Sequence, residues 1–206
     1  DDFQDRAFDG TSFNVINAGN LRQQGVEIDA DYMVLDGLRL YGALGYLDSE
    51  FTSYPNASCL PYPASVNPKC TQDLKGERNL FSPKWQGNVG AEATGDLGGS
   101  LGYLFRIDAA YRSEANVGGI NDNNPQTLEP GYSVLSGRFM VQFGADRQYA
   151  VGVFGENLTD QGACQGRPYQ PFGTQLGLLD PVSGGTVVRC NTIPPRTVGV
   201  SLRASF

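Results

Sequence analysis

The chain has no histidine among its 206 residues. That removes the commonest general base and the commonest metal ligand, and with them any Ser-His centre built from this chain alone. Lysine is nearly absent as well: Lys69, Lys75 and Lys84 are the only three, so there is no polybasic patch for a membrane surface. Fifteen basic residues stand against 22 acidic ones, a net charge of −7, which argues against general nucleic-acid binding. No apolar run reaches the length of about 18 residues that a transmembrane helix needs. A membrane barrel is untouched by that absence, because its strands dilute their apolar residues by alternation. The opening Asp1-Asp2-Phe3-Gln4-Asp5-Arg6 also lacks the basic start and apolar run of a signal peptide. A cell-surface chain with this start is expected to be processed, or to be part of something longer.

What is present is a period of two. In Leu101–Arg112 the odd positions are Leu101, Tyr103, Phe105, Ile107, Ala109 and Tyr111, and the even ones carry Arg106, Asp108 and Arg112. A helix would scatter those charges, whereas a strand puts them on one face. The pattern recurs from Val26, Leu38, Trp85, Leu135, Tyr149 and Thr197. That gives seven strands, most of them as long as the roughly 9–11 residues that cross a membrane at a tilt. Short turns at Asp36-Gly37, Gly95–Gly99 and Gly144–Gln148 alternate with long loops at about 52–84, 113–131 and 160–194. Outer-membrane barrels alternate their connections in this way. A soluble β-sandwich also has alternating strands, but its strands average about 5–6 residues and its loops need not alternate.

The polar face collects Glu27, Asp29, Asp31, Glu92, Asp108 and Glu156 with Arg39, Arg106, Arg112, Arg138 and Arg203. An arginine facing lipid at the midplane costs about 2–4 kcal/mol, so this face is expected to line the lumen. Tyr46, Trp85, Tyr111 and Tyr132 near the long loops, with Phe143, Tyr149 and Phe206 at the opposite ends, are expected as interfacial aromatic girdles. Four cysteines allow three connectivities. The simplest pairs Cys59 with Cys70 and Cys164 with Cys190, each inside one long loop. Four free thiols are the alternative, and disulfides would imply the periplasm or cell surface. The residues before about 17 carry Phe3, Phe8 and Phe13 amid crowded charges, and they read as the end of an incoming strand plus a loop.

Five segments carry a resemblance. They are Asn17–Glu27 (N-A-G-N-L-R-Q-Q-G-V-E), Leu44–Phe51 (L-G-Y-L-D-S-E-F), Ser82–Trp85 (S-P-K-W), Glu156–Asp160 (E-N-L-T-D) and Pro194–Val200 (P-P-R-T-V-G-V). In their order and spacing they resemble late barrel strands of TonB-dependent outer-membrane receptors. The resemblance implies an all-β, transmembrane, antiparallel up-and-down β-barrel of about 22 strands. Residues 1–206 would then be the C-terminal portion of that single barrel domain, its last seven or eight strands, with the plug domain and earlier strands outside it. The implied function is TonB-dependent uptake of a scarce nutrient of siderophore type. The implied place is the outer membrane of a Gram-negative bacterium, with long loops extracellular and the C-terminus periplasmic. The implied partners are outer-membrane lipid, the plug and remaining strands of the same protein, a TonB-type energy-coupling protein and a small-molecule ligand. No cofactor, metal, nucleic acid or catalytic residue is expected. Arg112 near the mouth, Asn121 and Asp122 in the Gly118–Asn124 loop, and Tyr169 are the candidate ligand contacts. The alternatives are a small eight-stranded structural or adhesive barrel and, behind it, an outer-membrane enzyme.

Overall fold

The computed structural model describes residues 3–8, 13–67, 69–170, 176–180, 182 and 184–205. Eight strands form one antiparallel sheet in which neighbours in sequence are neighbours in space. They are β1 (Phe3–Phe8), β2 (Phe13–Leu35), β3 (Leu38–Ser53), β4 (Trp85–Gly98), β5 (Leu101–Arg112), β6 (Tyr132–Phe143), β7 (Tyr149–Glu156) and β8 (Thr197–Ala204). Three two-stranded ribbons, Ala57–Ser58 with Thr71–Gln72, Ala115–Asn116 with Leu128–Glu129, and Cys164–Gly166 with Asn191–Thr192, decorate the three long loops. The loop of 54–84 also carries a short helix, Pro61–Val66. Among the described residues β1 and β8 are the outer strands of an open sheet. A closed eight-stranded barrel, the alternative raised by strand count, is therefore not what these strands make.

The alternation read from sequence survives in the register. Glu27 lies opposite Gly45, Gly45 opposite Gln86, Gln86 opposite Arg112 and Arg112 opposite Tyr132. The pleat then puts every charged residue named above on one face. The other face carries Val26, Ile28, Leu40, Leu44, Val89, Phe105, Phe139, Val153, Val200 and Leu202, all large, apolar and exposed. A water-soluble sheet would cover such a band.

Three expectations are corrected. β2 begins at Phe13, well before Val26, and its 23 residues make it the longest strand. At about 3.3 Å per residue it is roughly twice as long as a membrane crossing needs. Its first seven residues, Phe13–Gly19, pair with β1 rather than β3, so the incoming strand expected before residue 17 is present as β1, while residues 13–16, expected as loop, already belong to β2. The turn expected at Gly95–Gly99 is tighter: β4 runs to Gly98 and β5 begins at Leu101, so Gly99 and Ser100 make the reversal, and Gly98 and Gly99 take φ of 105° and 59°, which only glycine adopts freely. Tyr132 is not a girdle residue. It sits opposite Arg112 on the polar face, and the Arg112 guanidinium lies 5.6 Å from its ring centre. Tyr46, Trp85 and Tyr111 do share the apolar face near the long loops, with the Tyr46 and Trp85 rings 4.8 Å apart. At the other end Phe143 and Tyr149 pair at 5.7 Å. Phe206 lies outside the described residues.

The buried apolar core is small, and it sits where the long strands overshoot. Phe51, Tyr54, Ala57, Leu74 and Ala18 form it, with Phe3, Ile16 and Leu21 packed against them. Phe51 meets Phe3 and Tyr54 edge to face at 5.1 and 5.0 Å. Leu21 and Phe51 have the parity of the polar face. That face therefore changes character along its height, from charged in mid-sheet to apolar beneath the first long loop.

Candidate functional site

Both disulfides form as the simplest pairing expects, Cys59 with Cys70 and Cys164 with Cys190. The second closes the base of the loop that carries Arg167 and Tyr169. That loop docks on the 113–131 loop through acidic residues of the latter. Glu129 is 5% exposed, accepts from Arg167 Nε at 2.8 Å, and takes the backbone N–H of Cys164 at 3.0 Å. Tyr169 donates its hydroxyl to Asp122, and the same hydroxyl accepts from Asn124 Nδ2 at 2.8 Å.

Asp122 is 1% exposed. It also accepts the Asn124 backbone N–H through Oδ1, and its carbonyl accepts from Gln72 Nε2 in the first long loop. Burial pushes its carboxyl up to about 6, against the opposing pull of the Tyr169 and backbone donors. Burial beside Asp122 likewise raises Tyr169. Next to it, Asn121 donates to Asp5 on β1 at 2.9 Å, and Tyr54 donates to the same oxygen at 2.8 Å. Desolvation and that acidic partner raise Tyr54. The structure thus brings Asn121, Asp122 and Tyr169 together, but as the hub that joins three loops and β1. Their polar atoms meet other loops rather than open solvent. Among the described residues no group of three or more Cys, Asp or Glu side chains is placed to hold a metal ion.

Arg112 is elsewhere. It lies on the polar face at the top of β5, in a cavity of about 840 Å³ that is walled by Glu27, Asp29, Asn88 and Tyr132 and roofed by Gln165 and Pro194 of the last loop. Its Nε and Nη2 are buried without a hydrogen-bond partner. A guanidinium left this way forfeits strong charge-assisted bonds, so the cavity favours an occupant that supplies acceptors.

Lower on the same face is a cluster that alternation alone does not reveal. The Tyr41 ring is flanked by the Arg39 and Arg106 guanidiniums, each 5.1 Å from its centre. Arg39 is held by Asp31 and Arg106 by Asp108, both at 2.8 Å, and the Tyr41 hydroxyl donates to Asp108. The ring has room because Gly90 lies opposite it; a β-carbon there would collide with the ring. A glycine directly opposite an aromatic residue in register is the sequence signal for this cluster. Arg167 and Glu129 left no such signal, since nothing in a loop is periodic.

Two of the resembling motifs also meet in space. Asn157 of E-N-L-T-D adopts φ of 49° and is 3% exposed. Its side chain accepts from the Gln161 backbone at 2.8 Å and donates to the carbonyls of Gln161 and Pro194, each at 3.0 Å. Asp160 accepts the Arg196 backbone N–H at 3.1 Å. The first motif therefore ends β7 and also fixes where β8 begins, some 37 residues later.

Comparison with known proteins agrees with this architecture. The ferric yersiniabactin uptake receptor FyuA from Yersinia pestis superposes with a TM-score of 0.66 at 20% identity, over 94% of this chain and 25% of that one. BauA, the ferric preacinetobactin receptor from Acinetobacter baumannii, gives 0.57 at 16% identity over 97% of this chain and 25% of its own. The chain thus spans about a quarter of the length of these structures, and at such identities the likeness is one of fold. A stretch of 96 residues is 31% identical to a 7-cyano-7-deazaguanine synthase of Gluconobacter oxydans, covering 47% of this chain and 38% of that protein. This is too little of either to carry an activity across. The family of TonB dependent receptor-like β-barrels matches residues 1–158. The chain belongs to that family of outer-membrane receptor barrels.

Proposed function

We propose that this chain is the C-terminal part of the barrel wall of a receptor that takes up a siderophore-type nutrient across the outer membrane, driven by a TonB-type coupling protein. The apolar face meets lipid and the charged face lines the lumen, against the plug and ligand. The three long loops face outside and the C-terminus lies in the periplasm. The observation that carries this reading is the exposed apolar band backed by a charged face, in a chain whose family is that of receptor barrels. The ferric-chelate receptors among its structural neighbours favour the ligand class. The wall acts by binding and by shape rather than by catalysis.

Within that reading, Arg112 is the anion contact of the upper cavity, with Tyr132 beneath it. Asn121, Asp122 and Tyr169 act one step away, by holding the loops that roof the cavity. In the bacterium that encodes the protein, deleting the gene should lower uptake of at least one radiolabelled ferric chelate. Collapsing the proton-motive force in wild-type cells should lower the same uptake. Unchanged uptake on deletion overturns the ligand class, and uptake indifferent to energisation overturns the coupling.

A further inference from the structure

The upper cavity of about 840 Å³ holds more charge than Arg112: Glu27 and Asp29 of β2 and Glu156 of β7 also line it. Among the described residues none of these three carboxylates is ion-paired. Lower on the same face the charges are matched, Asp31 with Arg39 and Asp108 with Arg106. The register explains why the upper ones stay apart. Arg112 is three ladder steps from Glu27, through Gln86 and Gly45, which is about 14 Å between backbones at roughly 4.8 Å per strand. One row lower, Asp29, Ala43, Asn88, Ala110 and Val134 follow one another across five strands. Gly45, Ala43, Ala110 and Val134 therefore leave the ground between the charges low and largely apolar. Arg112 is the only cation lining the cavity. Its Nε and Nη2, the adjacent donors that together match one carboxylate, have no acceptor.

From this separation of charge we infer that the cavity selects a dipolar chelate, one that bears both a carboxylate and a protonated amine on its periphery. The carboxylate meets the Arg112 fork, and the amine meets Glu27 and Asp29 at the far side of the low floor. A chelate carrying only negative charge would satisfy one guanidinium and face three carboxylates, and such like-charge contacts discriminate against it. An uncharged chelate would displace water from all four groups and pair with none of them, which costs binding energy. A dipolar chelate pairs both ends, and its hydrocarbon body lies over Ala43, Ala110 and Val134. The inference rests on the transport reading and narrows it, by naming the charge type of the ligand at the same site.

The test uses the complete receptor that carries this chain, purified in detergent. The probes are three ferric trishydroxamates of one scaffold, whose iron centre is uncharged, so that pendant groups alone set the charge. One bears an amine, one a carboxylate and one both. Equilibrium dialysis with radiolabelled iron gives the affinities. The chelate bearing both groups should bind about tenfold or more tighter than the carboxylate chelate, the gain of one charge-assisted contact. Arg112→Gln should weaken the two carboxylate-bearing chelates about tenfold and spare the amine chelate. Glu27→Gln/Asp29→Asn, near-isosteric changes at exposed positions, should erase the advantage of the amine. The inference is overturned if the chelate bearing both groups does not bind, if it binds no tighter than the carboxylate chelate, or if either variant leaves the ranking as it was. Ferric-chelate uptake on gene deletion, measured separately, decides the transport reading. A receptor that passes there and fails here keeps its function and loses only this charge selectivity.

Discussion

Val89 and Asn88 are adjacent on β4, both exposed, and point to opposite faces of the sheet. Val89 is 62% exposed and lies opposite Gly42 and Ala109; Asn88 lies opposite Ala43 and Ala110. In water an arginine at either position would be nearly neutral, within about 0.5 kcal/mol. In a membrane the two diverge. Val89 is four residues below Trp85 in the aromatic row, about 13 Å along the strand at roughly 3.3 Å per residue. With a strand tilt near 40° that is about 10 Å of depth, close to the middle of an apolar band about 25 Å tall.

Val89→Arg should therefore destabilise the barrel by about 2–4 kcal/mol. Taking roughly 3 kcal/mol, that is a factor of about 150 in the folding equilibrium. Asn88→Arg should change it little, because Glu27 and Asp29 share its cavity. The assay is denaturant-dependent folding of the complete receptor into lipid vesicles, read by resistance of the folded form to protease. Equal effects of the two substitutions, or a larger one for Asn88→Arg, would refute the assignment of lipid and lumen faces.

Cys164→Ser/Cys190→Ser should loosen the last loop by about 3.5 kcal/mol in the chain-entropy view, for a closure of 26 residues; limited proteolysis should then cut within 157–196 and leave the strands intact. Asp122 makes the docking of the loops pH-dependent. Its pKa is raised in the folded state, so its contribution is fully present below the ordinary carboxylate range near 4 and is lost as pH rises through about 6. Protease resistance of the loops should decline across that window in the wild type and stay flat in Asp122→Asn. Gly90→Ala should drive the Tyr41 ring off its two guanidiniums and off Asp108, costing about 1–3 kcal/mol of receptor stability in denaturant titrations. If Gly90→Ala is neutral, the ring does not occupy the space opposite Gly90.

The strands were legible because parity is local: a residue's face follows from its neighbours one and two positions away. The same rule failed where its premise failed. Above the charged zone Leu21 and Phe51 turn to an apolar core while keeping the parity of the polar face, so the start of β2 reads as loop. Loop partners were invisible for another reason. Asn121 meets Asp5 across 116 residues and Arg167 meets Glu129 across 38, and no period links them. The motif E-N-L-T-D shows both limits at once. Its turn was readable from Asn and Asp, but the hold of Asn157 on Pro194 was not. Parity still carries information once the register is known. It places Arg106, which is paired with Asp108, against Arg138 and leaves Arg203 on the same face.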